Sequence, residues 1–277
     1  MRWITWMLAA MLALPAAAQA QGDAYPSRAV QLIIPFPPGG NTDLMARALQ
    51  AELSKALGQQ VVAVNRGGAA GSIGNAEVAR ARPDGYTIGI SPNNAITTQP
   101  FLQSVTYTPE SFRYLCLVYD NPQVLSLGRN APFRDFAGMI AHARTGREAL
   151  VFGSPGVGST QHILIAQLMR AAGVSGLNVP FTGAGPAITA LLGGQIQALA
   201  SAPGTLTQHA RDGRIRVLGC WGRDRVAAFP EVPTFAESGY PGVVTTNWFS
   251  IAGPARVPEE IIQAMYVQLR RALASDA

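Results

Sequence analysis

Lysine is nearly missing from this chain: Lys55 is the only one in 277 residues, and the arginines stand singly, as at Arg47, Arg66, Arg80, Arg82, Arg113 and Arg129. The formal net charge of +5 is therefore spread out as solvated surface. Nucleic acid would need a basic stripe with interleaved aromatics, so no such partner is expected, although a mild positive field favours anionic ligands. Histidine is equally scarce. His142, His162 and His209 are isolated, with no H-E-x-x-H pair and no neighbouring cysteine, which argues against a zinc site. The single lysine is followed by Ala56, so the Gly-Lys-Ser/Thr end of a phosphate-binding loop is absent. Gly153-Ser154-Pro155-Gly156 lacks the spacing of a nucleophile elbow. Neither Gly156-Val157-Gly158 nor Gly183-Ala184-Gly185 has the third glycine of a dinucleotide fingerprint. His162 follows Ser159 closely, but no carboxylate is evident to orient a Ser/His pair. No metal, cofactor or catalytic residue is expected.

Cysteine is limited to Cys116 and Cys220, far apart and each inside an apolar, strand-like run. An oxidising compartment allows a bridge if the Cα atoms come within about 7 Å, and burial in a core accounts for the pair equally well. Long apolar runs are missing too. The N-terminal one, Trp3 to Leu14, falls short of the roughly 18 to 20 residues that a membrane span needs and runs into Pro15. With Arg2 before it and Ala18-Gln19-Ala20 after it, residues 1–20 read as a signal peptide cleaved after Ala20. The expectation is export to the periplasm as a soluble chain of about 257 residues, large enough for two lobes.

What is present is a rhythm of strand and helix. Val30 to Ile34, Val61 to Val64, Tyr86 to Ile90, Leu150 to Gly153, Leu177 to Pro180, Ile196 to Ala200 and Ile215 to Gly219 read as strands. Met45, Leu49, Leu53 and Leu57 recur at helical spacing, with Gly58 placed to end the helix. Ile163 to Leu168, closed by Gly173, then Pro186 to Leu192 and Val257 to Ala274 add three more helices. The alternation predicts an α/β fold of mostly parallel sheets flanked by helices. The rhythm breaks around Thr106 to Pro132 and again over the Pro- and Gly-rich stretch from Trp221 to Trp248. Those breaks predict crossings between a discontinuous first lobe, 21–115 with 222–277, and a second lobe, 116–221.

Three loops share one design, a strand feeding a Gly-rich turn that opens a helix. In Pro35-Phe36-Pro37-Pro38-Gly39-Gly40-Asn41-Thr42-Asp43, free N–H groups at the helix start suit an anion, with Asn41 or Thr42 as the cap. Asp43 would repel an anion, so it is expected to brace the loop. An ordinary tight βα turn would read the same. In Gly153 to Gln161, Ser159 or Thr160 caps and leaves the other hydroxyl for a ligand. The third, Phe181-Thr182-Gly183-Ala184-Gly185, leads to Pro186 at a helix start. Together they predict a cleft of backbone donors that binds carboxylate or phosphate without arginine.

These loops, with Tyr25-Pro26-Ser27-Arg28, Asn65-Arg66-Gly67-Gly68-Ala69-Ala70-Gly71, Arg82-Pro83-Asp84-Gly85-Tyr86-Thr87, Gly185-Pro186-Ala187-Ile188-Thr189-Ala190-Leu191-Leu192-Gly193-Gly194 and Pro233-Thr234-Phe235-Ala236-Glu237-Ser238-Gly239, span nearly the whole chain. In combination they resemble the Bug family of periplasmic solute receptors, the substrate-binding proteins of tripartite tricarboxylate transporters. The resemblance implies a two-lobed type II periplasmic-binding-protein fold with a two-strand hinge, closing on a small organic acid held by loop amides and water. It implies contacts from Phe36, Gly39, Gly40, Asn41, Thr42, Asn93 and Asn94 in the first lobe. From the second lobe it implies Ser159, Thr160, Phe181, Thr182 and Gly183. It also implies a monomer that hands its ligand to membrane permease subunits.

Three departures from the family pattern stand out. Ser201-Ala202-Pro203 replaces an aspartate that pairs with amino-acid ligands, which favours an acid without an amino group. Phe181-Thr182 replaces Tyr-Lys. The family continues through a further helix and strand after the helix at Val257 to Ala274, and a chain stopping at Ala277 is expected to leave apolar surface uncovered on the first lobe. Two other functional classes stay open: an exported hydrolase-like enzyme on a similar fold, and an orphan sensor or signalling module without ligand transport.

Overall fold

The computed structural model describes residues 25–274, so the signal segment and its cleavage site lie outside the described residues. Two five-stranded sheets form the frame. The first half of the chain runs β1 (Val30–Ile34), α1 (Asn41–Leu57), β2 (Val61–Asn65), α2 (Ser72–Arg80), β3 (Thr87–Pro92), α3 (Asn93–Thr97), α4 (Gln99–Leu102) and β4 (Phe112–Asn121). It continues with β5 (Val124–Gly128), α5 (Phe136–Thr145), β6 (Leu150–Ser154), α6 (Thr160–Ala171), β7 (Gly176–Pro180), α7 (Ala184–Leu192), β8 (Ala198–Ser201), α8 (Pro203–Arg211) and β9 (Ile215–Cys220). β10 (Asn247–Pro254) and α9 (Glu259–Leu273) close it.

The first sheet has the order β2-β1-β3-β10-β4 and the second β7-β6-β8-β5-β9. In each, one strand runs against the other four: β10 pairs antiparallel with β3 and β4, and β5 with β8 and β9. Those two strands stand next to the crossings. β4 leads through Pro122 and Gln123 straight into β5 of the other sheet, and the chain returns at β10.

Periodicity explains the helices that cover each sheet. Ala46, Leu49 and Leu53 of α1 share a buried cluster with Met265 and Leu269 of α9 and with Leu32 and Ile34 of β1. Gly58 ends α1 in the left-handed region, at φ +64°, donating its N–H to the Lys55 carbonyl. In the second lobe, Met139 of α5 and Leu164 and Leu168 of α6 bury one sheet face, while α7 and α8 cover the other through Ile188, Leu191 and Leu206.

All of β4 pairs with β10 in the first sheet, and after Pro122 and Gln123 the chain enters β5 of the second. The Pro- and Gly-rich return stays with the second lobe well past residue 222. Phe235 packs on Trp221 with ring centroids 4.6 Å apart, Val243 joins the same core, and Val226, Phe229 and Val232 bury against α7 and α8. Turn-forming composition hid a segment whose apolar residues are spaced to fill a core. Cys116 on β4 and Cys220 on β9 belong to different sheets and are free thiols. Among the described residues, no helix is long and apolar enough to cross a membrane.

Candidate functional site

A narrow cavity of about 30 Å3, open in part to solvent, lies where the lobes meet. The first lobe supplies Phe36, Pro37, Gly40, Asn41 and Thr42, all from the loop that opens α1. Gly40 takes an extended conformation and is the cap of α1, so neither Asn41 nor Thr42 caps it as expected, and no side chain does. The first main-chain bond of the helix is Leu44 N–H to the Gly40 carbonyl. The N–H groups of Asn41 and Thr42 at the start of this 17-residue helix are thus left to the cavity, where the helix dipole favours negative charge.

Asp43 braces this loop as expected. Its Oδ2 accepts from Gly39 N–H at 3.0 Å and from Arg47 Nε at 3.1 Å, and its Oδ1 accepts from Asn65 Nδ2 at 2.9 Å. Burial alone would raise this carboxyl, but the hydrogen bonds from Arg47, Asn65 and Gly39 outweigh it and hold the group below its ordinary value. Gly39 sits at φ +85°, a conformation that favours glycine, and its N–H faces Asp43, so it shapes the loop without lining the cavity.

The second lobe and the crossing segments supply Gln123, Pro155, Gln161, Ala184, Ser201, Ala202, Asn247 and Phe249. Among the described residues, no side chain lining the cavity is ionisable. Among the described residues there is no group of three or more His, Cys, Asp or Glu that could hold a metal ion.

Several expected contacts turn out to join the lobes to each other. Thr160 Oγ1 donates to Asn93 Oδ1 at 2.7 Å, and Gln99 Nε2 donates to the Val157 carbonyl at 2.8 Å. Gly183 faces Pro37 so closely that a Cβ there would lie 2.8 Å from Pro37 Cγ. Asn94 Nδ2 donates to the Ala70 carbonyl at 2.8 Å and holds a first-lobe turn. Ser159 Oγ caps α6 by accepting His162 N–H at 3.3 Å, while the His162 ring Nδ1 accepts from Gly158 N–H at 3.0 Å. The ring therefore does not act on the Ser159 hydroxyl. Phe181 packs into the second-lobe core and Thr182 is exposed, so neither lines the cavity.

Of the residues that sequence reasoning passed over, Gln161 falls inside the second glycine-rich loop and Ser201 is where an aspartate was expected. Gln123 and Asn247 carry no local signal. They reach the cavity because both stand at the crossings between the sheets.

A mixed α/β chain of two lobes, with two crossings and a neutral polar cavity between them, defines a cleft-type solute-binding protein. Residues 45–277 match the model of the tripartite tricarboxylate transporter family receptor, and the chain belongs to that family. Protein BugT of Bordetella pertussis is 35% identical over 264 residues, covering 94% of this chain and 81% of BugT. The solved structure of the periplasmic binding protein BugD is 30% identical with a TM-score of 0.84, covering 91% of this chain and 85% of BugD. MatC from Rhodopseudomonas palustris, solved with bound malate, is 29% identical with a TM-score of 0.86, covering 91% of this chain and 86% of MatC. The family is one of receptors, and it assigns no catalysis to this chain.

Proposed function

We propose that this protein captures a small organic carboxylate between its lobes in the periplasm and presents it to the permease subunits of a tripartite transporter. The observation that carries this reading is the uncapped start of α1, whose N–H groups at Asn41 and Thr42 open onto a cavity between the lobes. Malate bound to MatC, a relative of like fold, supports an acid as the ligand. Periplasmic BugD and the family's transport role support the location and the permease partner. Export follows cleavage after Ala20. The lobes are 25–121 with 247–274, and 122–246. The receptor works as a monomer, and both walls of its cleft come from the one chain. Phe36, Gly40, Asn41 and Thr42 hold the carboxylate. Gly39, Asn93, Asn94, Ser159, Thr160 and Gly183 shape and close the cleft around it, and Phe181 and Thr182 flank the closing turn.

The test is a thermal-shift screen of the mature protein against mono-, di- and tricarboxylates and amino acids, since a ligand that binds the native state raises its apparent stability. A selective shift with one class of acid, accompanied by a smaller radius of gyration in solution scattering, is expected. A cooperative transition that no acid moves would sink the reading.

A further inference from the structure

Asn247, at the start of β10, is only 4% exposed and lines the cavity, yet its side-chain amide has no hydrogen-bond partner among the described residues. Its amide opens onto the cavity and is available to a polar group of the ligand.

Two neighbours in the lining show what kind of group that is. Thr205 uses its one hydroxyl proton on the Ala202 carbonyl, at 2.8 Å. In the 3.1 Å contact between the two hydroxyls, Ser201 must therefore be the donor, which leaves Ser201 Oγ with lone pairs only. Ser201 is 1% exposed and lines the cavity. Gln161 is oriented in the same way. Gln123 Nε2 donates to the Asn121 carbonyl at 3.2 Å, so Gln123 Oε1 faces Gln161 and accepts from its Nε2 at 2.9 Å. That bond fixes which end of the Gln161 amide is which, and Gln161 Oε1 has no partner among the described residues.

A lining with acceptors at Ser201 Oγ and Gln161 Oε1 repels carboxylate oxygens at that end and calls for a donor. An ammonium could donate, but among the described residues no ionised carboxylate lines the cavity to balance its charge. A hydroxyl donates without that cost. We infer that the ligand is a hydroxy acid, its carboxylate at the start of α1 and its hydroxyl read by Ser201 and Gln161, with Asn247 completing the polar wall. Gln123 is a positioning residue that acts through Gln161. The inference rests on the carboxylate-receptor reading.

The experiment is calorimetric titration of the mature protein with matched pairs of three to six carbons, each acid beside its 2-hydroxy form: propionate and lactate, succinate and malate, glutarate and 2-hydroxyglutarate. The hydroxy acid of the best pair is expected to bind about tenfold tighter or more, as when a site built for a hydroxyl meets an analogue lacking it. In Ser201→Ala, and separately in Gln161→Met, that ratio should fall toward one. Equal affinities within every pair for the wild-type protein, or a ratio that neither substitution moves, would overturn the hydroxyl assignment and leave the carboxylate reading standing. Binding of no acid at all would overturn both.

Discussion

Thr160 Oγ1 and Asn93 Oδ1 lie 2.7 Å apart, joining the first residue of α6 in one lobe to the first residue of α3 in the other. Both side chains were expected to touch ligand, and they touch each other. The closed cleft is thus held partly by protein-to-protein bonds, with Gln99 to Val157 as a second. Closure and binding are linked, so weakening this bond lowers the population of the binding-competent state.

Thr160→Val is expected to weaken ligand affinity about fivefold, corresponding to the loss of one neutral hydrogen bond of about 1 kcal/mol. Asn93→Ala should do the same. The double variant should cost no more than either single one, because the two residues serve one bond. Titration of the four proteins checks this, and additive losses would mean that each residue contacts the ligand by itself.

Gly40→Val should abolish binding while the fold survives. Gly40 has an ordinary extended backbone, so a side chain is tolerated there conformationally, and a Cβ would sit 3.8 Å from Ala184 Cβ across the cleft. The further methyl groups of valine then fill the space beside the free N–H groups of α1. Circular dichroism and thermal melting should stay near wild type, and calorimetry should show no binding.

Asp43→Asn should loosen the ligand loop and destabilise the protein by about 1 to 3 kcal/mol at neutral pH, since Asn65, Arg47 and Gly39 all bond this carboxylate. Its folded-state pKa lies below the ordinary 3.8. The stabilisation is therefore present above 3.8 and lost as pH falls through the lower folded value. Melting temperatures of wild type and variant should converge in that acid range, and a constant gap would count against the assignment.

His162 provides the second pH dependence. Burial lowers its pKa from 6.5, and its Nδ1 must stay unprotonated to accept the Gly158 N–H beside the Val157 latch. Below 6.5 the unfolded chain takes up the proton first, so stability falls with pH until the folded ring titrates too. Wild type should lose melting temperature between about pH 7 and 5, and His162→Gln should show a flatter profile over the same range.

Local elements were legible because their causes are local. The Pro- and Gly-rich turn before α1, the buried spacing of Leu49 and Leu53, and the stop at Gly58 are all written within one stretch of chain. β5 was missed because it lies in a break of the rhythm, and β10 because it begins at the end of one. Phe36 and Gly40, named through the family resemblance, and Asn41 and Thr42, from the loop design, line the cavity, and Asp43 was rightly read as a brace of that loop.

The amino-acid sequence by itself determined the alternating α/β elements, the family, and the donor-rich loop at the start of α1, since each depends on neighbours along the chain. Only the tertiary structure decided that Asn93 would meet Thr160, that residues 226–243 would pack on the second lobe, and that Gln123 and Asn247 would share one cavity. Such partners are far apart in sequence. They are brought together by sheet order and by the packing of one lobe against the other, which local spacing does not encode.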